Sequence, residues 1–207
     1  MMKNALLIAV LGLLLPDAVF AEKCRFEVDP ASIEVGWTAF KTTQKVAVKG
    51  SFARADAKVR KPSGSSIPGL LKGSTARIEL RDEKSSQSGN PARDQTLYQH
   101  FFSHLSSRGG IEGRVLAVRG DKDAGDLEMD LRLSGKQGRV AMKYTRSPEG
   151  ILSAKGTIDL LAFGAKNAFD DIHSACENLH KGADGVSKTW SEVEIEITAK
   201  ISGGCAG

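Results

Sequence analysis

Histidines and cysteines are the residues of this chain whose chemistry could support catalysis or metal binding, and three of them lie close together in the sequence. His173, Cys176 and His180 are spaced as H-x-x-C-x-x-x-H, which places them on one face of a helix. Imidazole and thiolate are preferred ligands of Zn²⁺, so the cluster is a candidate metal site for a metal-assisted hydrolase. The same face also carries the apolar residues Phe169 and Ile172. We therefore prefer a structural role for this helix and predict no metal site and no cofactor.

A second pair of histidines, His100 and His104, lies four positions apart on another predicted helix. This spacing suits zinc, but the sequence shows no third ligand beside them, so we expect them at the surface. Arg93 and Asp94 could contact a ligand head group, although the preferred role of Asp94 is to accept hydrogen bonds at the start of the helix. The sequence has no G-x-S-x-G nucleophile motif and no glycine-rich phosphate loop. These patterns predict a protein that is not an enzyme.

The helix that carries the second histidine pair has clear start and stop signals. Asn90 is a good N-cap and Pro91 suits the first helical position. Leu97, Phe101 and Leu105 recur every four residues, and two glycines follow them. Such an apolar stripe has to be covered, and the segments on either side supply a sheet that could cover it.

Alternation of apolar and polar residues predicts that most of the remaining chain forms β-strands. The pattern is clearest in residues 127–133 and 192–201, where apolar side chains alternate mostly with charged ones. Similar runs occupy residues 24–28, 33–37, 45–52, 76–80, 115–118, 140–144 and 158–160. Residues 29–32 and 61–68 have the composition of a turn and a loop, and the glycine-rich residues 202–207 have that of a disordered tail. About eight short strands with one apolar face predict an all-β fold, an antiparallel eight-stranded barrel with one or two short helices.

Several of these segments resemble the YceI-like family. Gly89-Asn90, Arg93-Asp94, Leu97 and Phe101-Phe102 are similar to its signature SxxTGNxxRDxHLxxxxFF, although Gln95-Thr96 stands where the family usually has a histidine. Further similar segments follow in the family's order: Val28-Asp29-Pro30, Val48-Lys49-Gly50-Ser51-Phe52, Gly125-Asp126-Leu127 and Gly156-Thr157-Ile158-Asp159. The resemblance implies a periplasmic, lipocalin-like barrel that binds a polyisoprenoid or another long-chain apolar lipid without catalysis.

The resemblance and the alternation together predict which side chains line the interior of such a barrel. The candidate ligand-binding residues are Val35, Trp37, Val48, Phe52, Leu97, Phe101, Leu131 and Tyr144. Lys41 and Lys45 precede the third strand and are candidates for contact with an anionic head group at the mouth. Two alternatives stay open beside lipid binding: the metal-assisted hydrolase, and a filled barrel that acts as an envelope adaptor without a small ligand.

Composition narrows the class of partner. The chain has 207 residues, 41% hydrophobic and 26% charged, which fits one globular domain over residues 22–207. Its net charge of +4 is spread out, because basic residues are interleaved with acidic ones, as in residues 77–84. This distribution predicts no binding to nucleic acid. Peripheral contact with an anionic membrane surface is compatible with the mild positive charge.

The first residues have the pattern of a secretory signal peptide. Lys3 gives a positive start, residues 5–15 are apolar, and Val19-Phe20-Ala21 is an acceptable cleavage site. The apolar run is too short to span a bilayer. We therefore expect residues 1–21 to be removed after Ala21 and the mature protein to be periplasmic.

Export would place the three cysteines in an oxidising compartment. Three thiols allow at most one intramolecular bridge. We prefer Cys24–Cys176, because the segments around these two residues have predicted structure and Cys205 lies in the glycine-rich tail. The alternative is Cys24–Cys205, which would follow if the first and last strands pair in antiparallel fashion.

Overall fold

A single antiparallel sheet dominates the structure, a computed structural model that describes residues 23–106 and 110–206. Within these residues the sheet has eleven strands, in the order β3-β5-β7-β8-β9-β10-β11-β1-β2-β6, with β4 pairing off this path to β1. The eight strands of four residues or more are β1 (Lys23–Lys41), β2 (Val46–Phe52), β5 (Thr75–Ile78), β7 (Ile111–Gly120), β8 (Ala124–Leu133), β9 (Lys136–Arg146), β10 (Ile151–Asp159) and β11 (Glu192–Ala206). The short ones are β3 (Asp56–Lys58), β4 (Ser63–Gly64) and β6 (Ser86–Gln87). The predicted all-β, antiparallel, lipocalin-like architecture is confirmed, and eight is the number of its longer strands.

The sheet curls into a half-barrel, and a helical layer covers its open side. This layer consists of α2 (Pro91–Leu97), a π-helical segment (Tyr98–Phe102), α3 (Ser103–Ser106) and α4 (Lys166–Ala175). The α2 helix begins as predicted, since the Asn90 side chain accepts a hydrogen bond from the backbone N–H of Arg93 at 3.1 Å. The described part of α3 reaches Ser106, and the predicted stop at Gly109 lies outside the described residues. Two 3₁₀ turns (Glu83–Ser85 and Glu177–His180) and α1 (Ile67–Leu71) complete the helical elements that the structure describes.

The α1 helix lies in a segment that we predicted to be a loop. Ser66 caps it by accepting a hydrogen bond from the N–H of Gly69, and Pro68 lies in its first turn. Ile67 and Leu70 are fully buried, so this short helix places two apolar side chains inside the half-barrel. The described chain therefore has four α-helices, more than the one or two that we expected.

The predicted turn at residues 29–32 is wrong, because β1 continues through it. Both halves of β1 pair with β11, and the register shifts between Asp29 and Glu34. Ser32 stabilises this irregularity: its hydroxyl donates to the carbonyl of Asp29 at 2.7 Å and accepts from the N–H of Lys200 at 2.7 Å. The turn-forming residues thus make a β-bulge, which bends the strand without ending it.

The predicted disorder of residues 202–207 is also wrong for the part that the structure describes. The β11 strand extends to Ala206, and its register with β1 places Cys205 opposite Cys24. These two residues form the disulfide, and Cys176 is a buried free cysteine. Our preferred pairing of Cys24 with Cys176 is therefore wrong, because the tail is held as a strand, and the alternative pairing is the one observed.

The two ends of the half-barrel differ in how they are filled. At the end where β1 begins and β11 ends, apolar side chains from the strands and α1 occupy the interior; the most buried of them are Phe26, Ile67, Leu70, Tyr144 and Ile201. The Arg146 guanidinium lies over the ring of Phe26 at this end, 5.7 Å from its centroid. We call this the filled end. No helix among the described residues is long and apolar enough to cross a membrane, and the predicted signal peptide lies outside those residues.

Candidate ligand-binding cavity

The other end of the half-barrel contains a cavity of about 430 Å³. One wall is the inner face of the sheet, with Val35 and Trp37 of β1, Leu131 of β8 and Ile195 of β11. The opposite wall is the helical layer, which adds Leu97, Phe101, Phe102, Phe169 and Ile172. Because nearly all of these side chains are hydrocarbon, the interior can bind an apolar group but offers few hydrogen bonds to it.

Seven of the eight predicted lining residues surround this cavity: Val35, Trp37, Val48, Phe52, Leu97, Phe101 and Leu131. Tyr144 does not, and its assignment was wrong. Its ring lies at the filled end against Gly125, where an added Cβ would approach the ring to 2.7 Å. Its hydroxyl donates to the carbonyl of Asp121 at 2.7 Å. Tyr144 does point inward, as the alternation of β9 requires, but it reaches the closed half of the interior.

An aromatic cluster fixes the shape of one cavity wall. Phe102 makes edge-on contacts with Trp37, Phe52 and Phe101, with centroid distances of 6.4, 5.8 and 5.3 Å. The indole N–H of Trp37 donates to the hydroxyl of Ser86 at 2.9 Å, which holds the ring in one orientation. Phe102 also lines the cavity and was not among the predicted lining residues, although the Phe101-Phe102 pair is part of the sequence signature.

Glycine at position 50 allows the Trp37 ring to pack closely against β2. A Cβ at Gly50 would fall 2.3 Å from a carbon of the Trp37 ring, so any larger residue would push the indole away. The absence of a side chain there thus shapes the cavity wall. Glycine is required here because β1 and β2 are neighbouring strands and pack closely. This gives a physical reason for Gly50 in the family-like segment at residues 48–52.

Polar groups concentrate where the cavity opens. Lys41, His180, Thr189 and Trp190 belong to the cavity lining and form this mouth, and Arg93 of α2 is a further cationic lining residue. The Lys41 ammonium contacts the carbonyl of Leu179 at 3.4 Å. Two cationic side chains therefore lie beside an apolar interior, an arrangement that suits a ligand with an apolar chain and an anionic or polar end.

Lys45, the second predicted head-group residue, is not part of the cavity lining. Its ammonium pairs with the Glu192 carboxylate at 2.7 Å and lies over the rings of Phe40 and Trp190, 5.0 and 4.9 Å from their centroids. These contacts hold the turn after β1 against the start of β11. Lys45 therefore supports the mouth, and Lys41 is the lysine that faces the cavity.

Comparisons with known proteins give the architecture a context. No protein-family model matches the sequence, and neither does any curated protein sequence. Among solved structures, similar ones include a polyisoprenoid binding domain from Saccharophagus degradans (12% identity, TM-score 0.54, covering 87% of this chain and 98% of that one). BcnA from Burkholderia cenocepacia is similar at 15% identity and TM-score 0.56, with 85% and 99% coverage. The YceI protein of Campylobacter jejuni is similar at 17% identity and TM-score 0.51, with 81% and 90% coverage.

The chain has a YceI-like fold.

Arg93 and Asp94 have separate roles in this YceI-like fold. The Asp94 carboxylate accepts hydrogen bonds from the backbone N–H and the hydroxyl of Ser88, at 2.8 and 2.5 Å, and so holds the loop before α2. This is the structural role that we preferred for it. Arg93 is exposed on α2 and is the second cationic residue of the cavity lining, with Lys41 as the first.

The sequence cluster His173, Cys176 and His180 does not form a three-ligand site. Both histidines contact the hydroxyl of Thr189 through Nδ1, at 2.8 Å for His173 and 2.7 Å for His180. Cys176 lies in the cavity wall, 8% exposed. Throughout residues 23–106 and 110–206, no group of three or more His, Cys, Asp or Glu side chains is placed to hold a metal ion.

Burial governs protonation at this mouth. It raises the pKa of the Cys176 thiol, with the positive charge of Lys41 acting in the opposite direction. It also lowers the pKa of His180, and the charges of Lys41 and His173 lower it further. Both groups are therefore held in their neutral forms, Cys176 as a thiol and His180 as an imidazole.

The other histidine pair connects two parts of the helical layer through a shared carboxylate. His100 and His104 contact the two carboxylate oxygens of Asp171 on α4, at 3.1 and 2.9 Å. The pKa of Asp171 is lowered, first by the hydrogen bond with His104 and then by that with His100. The four-residue spacing identified the two histidines as neighbours. It could not identify Asp171 as their partner, because Asp171 lies 71 positions from His100 and 67 from His104 in the sequence. These two contacts join the segment that carries the histidines to α4 in the helical layer that covers the cavity.

Proposed function

We propose that this protein binds an apolar, isoprenoid-like lipid chain in the cavity and carries it without changing it chemically. The observation that carries the proposal is the cavity itself, whose walls are almost entirely hydrocarbon and whose lining includes the cationic Lys41 and Arg93. One of the similar structures is described as a polyisoprenoid binding domain, which supports the same class of ligand.

The size and chemistry of the cavity suit such a ligand. A volume of about 430 Å³ falls within the range of roughly 300–1,000 Å³ that is typical of small-molecule sites. Each methylene group transferred from water to the interior stabilises the complex by about 0.8 kcal/mol. A chain of a few isoprene units would therefore bind through burial alone, with no need for a reactive group.

We further propose that the polar end of the ligand is anionic and lies at the mouth. Lys41 is the favoured contact, because it lines the cavity and its ammonium has an uncharged partner, the carbonyl of Leu179. Arg93 is the second cationic residue of the cavity lining. Lys45 is already paired with Glu192, which leaves it a supporting role.

The cell envelope is the proposed place of action. The predicted signal peptide at residues 1–21 supports export, and so does the Cys24–Cys205 disulfide, because such bonds persist in oxidising compartments. Removal after Ala21 would leave Cys24 close to the new N-terminus. The intact mass of protein purified from the periplasmic fraction of the native cell tests this placement directly.

Two tryptophan substitutions on β11 test whether the lipid binds in the cavity. Ile195 lines the cavity, whereas its neighbour Glu194 is exposed on the other face of the same strand. We expect Ile195→Trp to fill the cavity and Glu194→Trp to leave it open. Native mass spectrometry with geranylgeranyl phosphate should show at least a tenfold weaker complex for Ile195→Trp, since losing the burial of about two methylene groups is enough for that change.

The same titration tests the head group and defines failure. Lys41→Met should weaken binding of geranylgeranyl phosphate more than binding of the uncharged geranylgeraniol. Equal affinities for Ile195→Trp, Glu194→Trp and the unaltered protein would place the ligand outside the cavity. A protein that purifies without lipid and binds neither probe would contradict the proposal and favour a ligand-free adaptor.

A further inference from the structure

The surface around the cavity mouth combines exposed apolar side chains with lysines. This mouth surface consists of the turn at residues 41–46 and the segment at residues 177–190. Five large apolar side chains are strongly exposed in the part of the chain that the structure describes, and three of them lie here. They are Val46, Leu179 and Val186, which are 47%, 69% and 51% exposed. When exposed apolar side chains gather on one part of a protein surface, that part is a candidate interaction site.

Hydrogen bonds hold the two segments of the mouth surface together. Lys41 pairs with Val46 across the β1–β2 turn, and its ammonium reaches the carbonyl of Leu179. On the far side, the Thr43 hydroxyl donates to the Asp184 carboxylate at 2.5 Å. The N–H of Gly182 donates to the carbonyl of Val186 at 3.1 Å, which shapes the loop that presents Val186. The three apolar side chains are therefore carried by one connected surface.

The charges of this surface favour an anionic partner. Lys181 contacts the side-chain oxygen of Asn178, and Lys188 lies over the ring of Trp190, 5.1 Å from its centroid. Lys41, which contacts a backbone carbonyl, is the third lysine with an uncharged partner. The surface has two acidic residues, the exposed Glu177 and Asp184, which accepts hydrogen bonds from Thr43 and from the N–H of Val186. Its four lysines, including Lys45, outnumber them.

We propose that the mouth surface docks onto the surface of an anionic phospholipid bilayer. A surface that carries exposed apolar side chains, lysines and a half-buried tryptophan is suited to the boundary between head groups and acyl chains. Docking in this orientation sets the cavity opening against the membrane, so that a lipid chain can pass into the protein without crossing water. The inference rests on the proposed function for its purpose, but the docking itself can be measured without any cavity ligand.

Three variants and a matched control test the docking in a vesicle co-sedimentation assay. Val186, Lys181 and Lys188 belong to the mouth surface but not to the cavity lining. Ile151, which is 43% exposed, pairs with Lys200 at the filled end, roughly 26 Å along β11 from Glu192. Val186→Asp should therefore weaken binding to vesicles of phosphatidylglycerol and phosphatidylcholine, and Ile151→Asp should not.

The expected changes are large enough to separate the outcomes. Val186→Asp should lower the vesicle partition coefficient by about tenfold. Lys181→Glu and Lys188→Glu should each lower it by about fivefold or more, with a smaller effect at high salt. The unaltered protein should bind vesicles of pure phosphatidylcholine weakly. Equal loss for Val186→Asp and Ile151→Asp, or no binding of the unaltered protein to anionic vesicles at low salt, would overturn the docking surface.

The cavity variant separates this inference from the proposed function. Ile195→Trp should lose geranylgeranyl phosphate and still bind anionic vesicles, whereas Val186→Asp should bind the lipid in solution and lose the vesicles. If the first variant keeps its ligand while Val186→Asp loses the vesicles, lipid binding in the cavity fails and docking stands. If ligand is lost only in Ile195→Trp while vesicle binding is the same in all variants, docking fails and the cavity proposal stands.

Discussion

A single hydroxyl group, that of Thr189, orients both histidines at the cavity mouth. A hydroxyl has one hydrogen, so it can donate to only one of the two Nδ1 atoms and must accept from the other. One of the imidazoles therefore carries its proton on Nδ1 and the other on Nε2. The pKa of His180 is lowered because adding a proton would place a positive charge in a half-buried site and would bring that charge close to Lys41.

This environment predicts that His180 makes the protein less stable as the pH falls. In the unfolded chain a histidine takes up a proton near pH 6.5, whereas in the folded protein it does so only at lower pH. Between these two pH values the unfolded state binds more protons, so acidification favours unfolding. His180→Gln removes this contribution. Urea denaturation near pH 7.5 and near pH 5.5 should show a smaller loss of unfolding free energy in the variant, and an equal loss in both proteins would contradict the assignment.

At the scale of elements, β8 shows most clearly how the two faces of the sheet differ. Leu127, Met129, Leu131 and Leu133 are all buried, and the intervening residues lie on the outer face. Leu131 lines the cavity and is 3% exposed, whereas Arg132 is exposed and lies 4.0 Å from the Glu112 carboxylate. Neighbouring residues of one strand thus have opposite environments.

The contrast predicts opposite outcomes for two substitutions. Leu131→Arg places an unpaired charge in the apolar interior, which costs at least several kcal/mol, so this variant should unfold or lose its lipid. Arg132→Leu should change the free energy of unfolding by under about 0.5 kcal/mol, since Glu112 keeps its contact with Arg77 at 3.5 Å. Thermal melts and lipid retention measure both. If the two variants behaved alike, β8 would not have one buried face.

Local pattern was sufficient to predict some elements and insufficient for others. The tight turn between β8 and β9 lies at Ser134 and Gly135, which adopt the positive φ values that such a turn needs. The alternation in both strands was predictable, because each strand has one buried face and one exposed face. The continuation of β1 through residues 29–32 was not, because pairing with β11 outweighs the local turn signal. The π-helical segment was also missed, since the four-residue spacing of Leu97, Phe101 and Leu105 predicts an ordinary α-helix.

At the scale of the whole molecule, the half-barrel is filled at one end and hollow at the other. Alternation along a strand tells which face a residue occupies, and for that reason seven of the eight predicted lining residues were placed correctly around the cavity. Alternation cannot tell how far along the barrel the interior is filled, which is why Tyr144 was assigned to the cavity. That information lies in α1, whose Ile67 and Leu70 occupy the filled end, and in the glycines that admit the Tyr144 ring.

The Cys24–Cys205 disulfide joins the two ends of the described chain and predicts a large effect on global stability. It closes a loop with a sequence separation of 181 residues. In the chain-entropy model a loop of this length stabilises the folded state by about 5 kcal/mol, because it restricts the unfolded chain. Replacing both residues by serine should therefore lower the melting temperature by roughly 10–20 °C.

Cys176→Ser is the matched control, since Cys176 is a free thiol and its loss breaks no covalent bond. Alkylation of denatured, unreduced protein should modify one cysteine, and alkylation after reduction should modify all three. A reductant should lower the melting temperature of the unaltered protein and of Cys176→Ser, but should leave the double serine variant unchanged. If the double serine variant had the same melting temperature as the unaltered protein, pairing between β1 and β11 would be sufficient to hold the chain ends without the disulfide. Three modified cysteines before reduction would exclude the bond altogether.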